Sequence, residues 1–405
     1  MSSIVDNIKN WWRTLFRTWI NEYRLVFSDL GVLLFFLALP LAYPVTYTLI
    51  YNPELVEKVP MAIVDNSRTA ESRELARMVD ADQYTEVSCY AVDLGEARRW
   101  MKERKVYGIL VIPEDYAKKI GRKEQAVLPL YCDMSLLLRY RSVLFAMTDI
   151  QLQLGADIRT NTINNSPAAF VSSAMGNTVD TESFFLGDVT QGFASFIMIG
   201  LVILILQQSL ILGILMLGGG SRERRRKNNG VDPEAVKGPV SASLLGEAFC
   251  YVTIYMPLTV YILHYVPLMF SLPHYGEAVD YLLFMLPMLF ASVFMGQMLR
   301  PLVVERESSF LVFVFTSVIF LFLSGLTWPR YAMSPVWFVL GSLVPATWGM
   351  QGFIGINSNE ATLGDVSTPY MMLWVLAAAY YILAVIITRQ ANSYDLRHYK
   401  VPSVP

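Results

Sequence analysis

Long apolar blocks separated by polar stretches of very unequal length make up this chain, and one block sets the direction of the others. Phe193–Leu217 is apolar but for small residues and a midpoint group, Gln207, Gln208 and Ser209. It runs into Gly218-Gly219-Gly220 and then Ser221-Arg222-Glu223-Arg224-Arg225-Arg226-Lys227. About 25 residues at ~1.5 Å each cross a hydrocarbon core of ~30 Å with some tilt. Short arginine-rich loops stay on the cytoplasmic side. The pattern therefore predicts a transmembrane helix that ends inside, with the glycines as a flexible helix end and 218–243 as a cytoplasmic loop.

Upstream, residues 1–30 repeat Ile4, Ile8, Trp12, Leu15 and Trp19 at helical spacing, with Lys9, Arg13, Arg17 and Arg24 between them. This predicts an amphipathic helix in the membrane interface, tryptophans at headgroup depth and cations toward anionic lipid. A solvated helix packed on another part of the chain is the alternative. The basic residues place the N-terminus inside. Residues 31–51 then cross outward as the first transmembrane helix, and no small-residue cleavage site closes the run, so it is read as a retained anchor. Pro40 and Pro44 kink it, which membrane helices tolerate where neighbours satisfy the freed carbonyls.

Residues 52–190 change character. Val59–Asp65, Glu86–Val92, Tyr107–Ile112 and Ala126–Tyr131 read as strands. Thr69–Val79, Gly95–Lys105 and Glu114–Ile120 read as helices, the last opened by Pro113. Strands alternating with helices predict a small α/β sheet. A long helix over 135–158 forms a stalk, and 160–190, rich in Asn, Ser, Thr and Gly, is expected to be irregular. The domain holds about half of the chain's Lys and Arg yet lies outside, because long domains translocate regardless of charge.

Four more spans follow, at 244–265, 281–302, 308–327 and 370–388. Residues 336–353 are apolar but interrupted by Pro345 and glycines. If they spanned fully, Arg389, Arg397 and Lys400 would fall outside, so they are read as a re-entrant or interfacial hairpin at the outer face. The predicted fold is an α-helical polytopic membrane protein. It has six transmembrane helices, a re-entrant outer hairpin after span five and an inserted extracytoplasmic α/β domain. Spans two to six occupy 191–389, and 390–405 is a cytoplasmic tail, so both termini lie inside.

Composition agrees. Hydrophobic residues make up 54% and charged residues 16%, against ~25% charged in soluble domains. The net charge of -2 says nothing about partners, because the charges are segregated along the chain. There is no GxxxxGK[ST] loop, no HExxH, no GxSxG and no pair of carboxylates within the spans, which argues against an enzyme, a nucleotide site and a proton-coupled pump. Cys89, Cys132 and Cys250 lack zinc-site spacing. Cys89 and Cys132 share the soluble domain, and whether they pair is left open by the sequence. His264 and His274 flank one external loop and are read as surface residues, so no metal is assigned. Glu247 lies at the inner end of span three, within reach of water or the basic loop.

Several stretches together resemble the ABC-2 type permeases, in particular multidrug-type ABC exporter permeases with a large extracytoplasmic domain. Val59-Pro60-Met61-Ala62-Ile63-Val64-Asp65 with Ser67-Arg68 and Ser72-Arg73-Glu74-Leu75 resembles that family's opening strand and helix. Ser221-Arg222-Glu223-Arg224 resembles its cytoplasmic segment after span two, but the Gly-Thr pair that usually follows is missing. Leu244-Leu245-Gly246-Glu247 stands where span three starts, often with Lys in place of Glu247. Leu323–Pro329, Met333-Ser334-Pro335, Trp337 and Leu343–Thr347 resemble the external segment after span five.

The resemblance implies the transmembrane half of an exporter in the cell (inner) membrane. A second permease copy or a similar permease completes it, and cytoplasmic ABC ATPase subunits drive it. ATP and Mg belong to the ATPase, and this chain binds no cofactor. Arg222, Glu223, Arg224, Arg225 and Arg226, with Glu247, are then candidates for the coupling contact, or simply enforce topology and bind anionic lipid. Gln207, Gln208, Ser209, Ser292 and Gln297 either line the cargo path or make interhelical hydrogen bonds. Trp328, Trp337 and Trp348 mark the outer interface. A periplasmic adaptor and the cargo stay open; nucleic acid is not expected. Two other readings stand beside this one: a secretion or phage-receptor-like membrane protein without an ATPase, and a sensor whose outer domain binds a ligand.

Overall fold

A computed structural model describes residues 2–51, 56–122, 124–164, 193–228, 230–272 and 274–398. The chain divides into two compact units, Pro53–Phe184 and the remainder, Met1–Asn52 with Phe185–Pro405.

The inserted unit is an α/β sheet of four strands: β1 (Val59–Asp65), β2 (Thr85–Tyr90), β3 (Gly108–Ile112) and β4 (Leu130–Cys132). Their order is β2-β1-β3-β4. β1 pairs in parallel with both β2 and β3, while β4 runs antiparallel to β3. The central strands β1 and β3 are covered on both faces, which is why VPMAIV and GILVI read as continuous apolar runs. Val59, Met61 and Ile63 face one core with Leu75, Val79, Tyr116 and Val143; Ala62 and Val64 face the other with Ala97, Val106 and Ile109. The intervening helices are α3 (Ala70–Ala81), α4 (Leu94–Lys102) and α5 (Tyr116–Gly121), and α6 (Leu137–Asn164) follows. Asp65 closes the turn after β1: its carboxylate accepts from the Ser67 and Arg68 amides at 3.0 and 2.9 Å and from the Ser72 hydroxyl at 2.7 Å. Thr69 and Ser72 form a reciprocal capping box on α3.

Two expectations change here. The fourth strand shifts from Ala126–Tyr131 to Leu130–Cys132, the residues that pair with Gly108–Leu110 of β3. Cys89 and Cys132 are both free thiols. Cys89 lies on β2 and Cys132 on β4, the two opposite edges. Three strand spacings of ~4.8 Å separate them by ~14 Å, far beyond disulfide reach. The end of the predicted irregular stretch lies outside the described residues; its first positions, to Asn164, belong to α6.

Among the described residues the regular elements of the second unit are all helices. α1 is Ser2–Ser28 and α2 is Leu30–Ile50. α7 is Phe193–Lys227, α8 is Val240–Met269, α9 is Ala278–Leu299, and α10 is Ser308–Leu323. The remaining helices are α11 (Pro335–Ser342), α12 (Pro345–Asn359) and α13 (Ser367–His398). Among the described residues five helices, α2, α7, α8, α9 and α13, are long and apolar enough to cross a membrane, or six if the bent pair α11–α12 counts as one span. The expected fifth span, 308–327, is instead the 16-residue α10, ~24 Å at 1.5 Å per residue. It stops before Gly325, whose φ of +94° carries the chain into a turn. α11 and α12 meet at 87° across Leu343-Val344, where Pro345 opens the second helix.

Proline accounting explains one packing device. Pro40 has no N–H to offer Phe36, and the Tyr255 hydroxyl of α8 donates to the Phe36 carbonyl at 2.8 Å instead. The Phe36 ring lies where a Cβ on Gly213 would come within 2.0 Å of it, so α2 and α7 meet at a glycine. The basic end brings a correction. The helix of α7 does not stop at Gly218–Gly220 but continues to Lys227, so the arginines lie on its last turns, and the loop is only 228–239.

Opposite sheet edges for Cys89 and Cys132 predict three maleimide-reactive thiols in protein denatured without reductant; a count of one would require the pair to be bonded.

Candidate functional site

Charged side chains from distant parts of the sequence converge at the basic end of α7. Gly218 and Gly219 make this convergence possible. A Cβ on Gly218 would lie 2.3 Å from Cγ of Arg300, and one on Gly219 would lie 2.8 Å from the backbone nitrogen of Arg306. The glycine run is therefore a contact surface inside a helix, against the 300–306 segment that follows α9, not a flexible end.

Each arginine of the burst has a partner in the same unit. Arg222 Nη1 donates to the carbonyls of Pro301 and Val303 at 3.0 and 2.9 Å. Glu223 accepts from the Arg306 amide at 2.9 Å. Arg224 forms a two-pronged pair with Asp232, Nε and Nη2 at 3.0 and 3.1 Å, and reaches Glu234 at 3.2 Å. Asp232 also accepts from Ser221 at 2.6 Å. Burial pushes the Asp232 carboxyl up, but the Arg224 and Ser221 hydrogen bonds outweigh it and hold the group below its ordinary range. Arg225 donates to Asn392 of α13 at 2.8 Å. Arg226 pairs with Glu305 at 3.2 Å, and both are exposed. Arg306 pairs in turn with Asp29, whose carboxylate caps α2 by accepting from the Gly31 and Val32 amides.

Beneath this layer sits a second one that sequence reasoning missed. The protein partners of Glu247 lie outside the basic burst: Arg300 donates to it at 2.7 and 3.3 Å and Gln297 at 3.0 Å. Glu22 of α1 is buried and accepts from the Tyr251 hydroxyl at 2.5 Å. Burial first, and then the neighbouring Glu247 carboxylate, raises the Glu22 carboxyl to about 7, against the pull of Tyr251 and Arg300. The two acids lie 225 positions apart in the sequence. The clue was α1's own period: Thr14, Leu15, Thr18, Glu22 and Val26 share one buried helical face. That face packs on α8, where Gly246 lets the Leu15 carbonyl approach within 2.5 Å of a would-be Cβ. Trp11 donates to Ser241 at 3.1 Å, and Asn21 to the Glu234 carbonyl at 2.9 Å. Glu22, Arg224, Asp232, Glu247, Arg300 and Asn392 line a cavity of about 160 Å³ at the centre.

α1 thus has three faces rather than two. Its buried face docks on α8, its cations Arg13, Arg17 and Arg24 are exposed, and Val5, Ile8, Trp12, Phe16, Ile20 and Phe27 form a solvent-open apolar stripe.

The polar positions within α7 and α9 are buried among the helices of this chain. Gln207 accepts from the Ala346 amide at 2.6 Å, capping α12. Gln208 meets Thr316 of α10 at 3.4 Å. Ser209 donates to Leu206 O and lies 3.0 Å from the Tyr255 hydroxyl. Ser292 donates to Met288 O, and Gln297 to Leu244 O as well as Glu247. Trp328 and Trp337 are exposed, whereas Trp348 is half-buried, donates to Ser342 O at 2.8 Å and stacks under Arg330.

Long apolar helices with one charged end, interrupted by an α/β unit, define a multi-pass membrane protein. The sequence profile of the ABC-2 family transporter proteins matches residues 30–386, and the chain belongs to that family. None of the curated proteins compared with the chain matches it. Membership makes it a membrane component of a transporter rather than a catalyst in itself.

Two outcomes follow from the geometry. Arg300→Met leaves Glu247 without its charge partner in a largely buried site and destabilises the protein by about 3 kcal/mol, and adding Glu247→Gln recovers most of that loss. Thermal unfolding in detergent measures both. For Glu22, the folded carboxyl titrates at about 7 and the unfolded one near 4.5. The native state therefore holds the extra proton between those values, and stability present below the lower one is lost as pH rises through the upper. Between about pH 5 and about pH 8 the wild type should lose melting temperature relative to Glu22→Gln; parallel curves would refute the assignment.

Proposed function

We propose that this chain is the permease subunit of an ATP-binding cassette exporter, moving cargo outward on energy from a separate cytoplasmic ATPase. The observation that carries this reading is the charged cluster. It joins α1, the end of α7, the 228–239 loop, α8, the 300–306 segment and α13 through hydrogen bonds and ion pairs, in a family of transporter membrane components. The chain has no P-loop of its own. A force applied to any member moves the others as one body, the kind of rigid shift that passes motion between an ATPase and helices. Arg222, Glu223, Arg224, Arg225 and Glu247 hold the body together; exposed Arg226 and Lys227 face a partner.

Orientation follows from charge. Arginine-rich ends stay in the cytoplasm, so both termini lie inside the cell (inner) membrane. α2 leaves the basic end at Asp29 and α7 returns to it, which supports reading the α/β unit as extracytoplasmic. With α10, though short, taken as a crossing from the 300–306 segment outward, the 87° pair α11–α12 fits a re-entrant hairpin, since a second full span there would reverse α13. The apolar stripe of α1 suits the lipid interface with its cations beside it. Homologous transporter halves pair, so a second copy or a similar permease completes the pore, and an adaptor can join the outer unit. The buried roles of Gln207, Gln208, Ser209, Ser292 and Gln297 favour interhelical bonds over a lining of the cargo path.

Affinity purification in mild detergent should retain an ATPase subunit and raise its ATP hydrolysis; a chain that carries no nucleotide-binding partner contradicts the proposal. Arg226→Glu with Lys227→Glu should weaken that retention without lowering thermal stability, whereas Arg224→Ala should lower both.

A further inference from the structure

A second polar network lies at the other end of α8 from the basic cluster. His264 occupies a π-helical turn, Tyr261–Tyr265, set between Pro257 and Pro267. Such turns displace a side chain from the regular helical surface and recur at functional positions. The Nδ1 of His264 lies 2.9 Å from Nε2 of His274, so the two histidines read from sequence as surface residues are half-buried against each other. Nδ1 of His274 lies 3.3 Å from Oδ1 of Asn357 near the end of α12. The Tyr281 hydroxyl donates to the same oxygen at 2.9 Å and accepts from the Gly276 amide at 3.1 Å. The Tyr275 amide donates to the Asn357 carbonyl at 3.2 Å.

Proton positions follow from donor and acceptor capacity. An amide oxygen only accepts, so Nδ1 of His274 carries hydrogen. In a neutral ring its Nε2 is then the acceptor, and Nδ1 of His264 must be the donor. The chain of hydrogen bonds is complete with both rings neutral. Its geometry is also compatible with a hydrogen on the other ring nitrogen of His264. A second proton, on Nε2 of His274, sets two N–H groups against each other at 2.9 Å between two cations. The neighbouring aromatic groups are Tyr265 beside His264 and Tyr281 stacked on His274 at 5.0 Å. Burial, and then the charge of His264, lowers the basicity of His274, and Asn357 partly opposes this; no carboxylate contributes.

We propose that the His264–His274 pair is an acid-released latch that straps residues 274–276 to the end of α12. α12 is held at both ends. Gln207 of α7 caps its first turn, and Asn357 holds its last turn to the latch. Gly276 sits so close to α12 that a Cβ there would lie 2.7 Å from the Ile356 carbonyl. Doubly charging the pair frees one end of α12 while Gln207 keeps the other. The sign is definite. The latch is closed at and above the ordinary histidine value of 6.5, and opens as pH falls below it through the lowered value of His274.

Hydrogen exchange on the full chain in nanodiscs tests this, comparing about pH 7.5 with about pH 5 after correction for the intrinsic rate. The amides of Tyr275 and Gly276 should exchange about tenfold faster in acid, with the strand Val59–Asp65 unchanged. His274→Gln and, separately, His264→Gln keep a group that can donate or accept but cannot hold the second charge; each should abolish the acid step. Equal protection at both pH values in the wild type overturns the proposal, and so does an acid step that persists in either variant. If one variant does not fold, the other decides the question.

Discussion

Taking charge out of water is costly unless every charged group finds a partner, and at the basic end of this protein that requirement organises the helices. Glu22, Glu247 and Arg300 are drawn from three helical regions, and none can be buried without the others. Arg224 and Asp232 obey the same rule one layer further out, where Asp232 is the more buried partner and is satisfied by Arg224, Ser221 and the Glu234 amide. The glycines are the steric half of the arrangement. Without Gly218 and Gly219 the helix could not approach Arg300 and Arg306, and without Gly246 α1 could not bring Glu22 to Tyr251. Charge pairing and close approach are therefore one constraint seen twice: small residues bring backbones near enough that ion pairs span between helices rather than into solvent.

That constraint explains what could be read from the chain and what could not. The apolar blocks and the βαβ rhythm of the inserted unit were legible because hydropathy and periodicity are local properties. The extension of α7 through three glycines was not. Each glycine costs about 1 kcal/mol of helix propensity relative to Ala, and only the 300–306 segment packed against them overrides it. The arginines declared their number but not their partners, since Arg222, Arg224, Arg225 and Arg226 are satisfied by residues from eight to 167 positions away. Glu22 was hidden differently. Ile8 and Trp12 draw the eye to the apolar stripe, whereas the packing face is built of Thr14, Leu15, Thr18, Glu22 and Val26, which alternate polar and apolar character.

The polar residues inside the spans show how a sequence signal can be real and its meaning open. Gln207, Gln208 and Ser209 are conspicuous among apolar neighbours, and a cargo path or helix glue explains them equally from sequence. The structure uses them between helices. Gln207 supplies the cap that α12 lacks at its proline-led start, and Tyr255, beside Ser209, supplies the hydrogen bond that Pro40 removes from α2. At Pro40 the ring removes a donor from the ladder, and at the start of α12 a first-turn amide has no preceding carbonyl; in both places a polar side chain from another helix supplies the partner. The hydrogen-bonded residues are separated by 139 positions in one case and 219 in the other.

α12 also follows from this logic. Its glycines put the Phe284 ring and the Ile203 side chain where Cβ atoms would be, so the helix lies deep among α7 and α9 although it is too short to cross a membrane with them. The first turn of α12 is buried, so its free amides need partners from the protein. Gln207 does this at one end with an amide that has no titration, and Asn357 joins the other end to a network that contains two histidines. The two ends therefore respond differently to acid: the first is indifferent and the second is not. A helix fixed by a neutral cap and released at a titratable one pivots rather than detaches, and the pivot lies at Gln207, on the same helix whose far end carries the basic cluster.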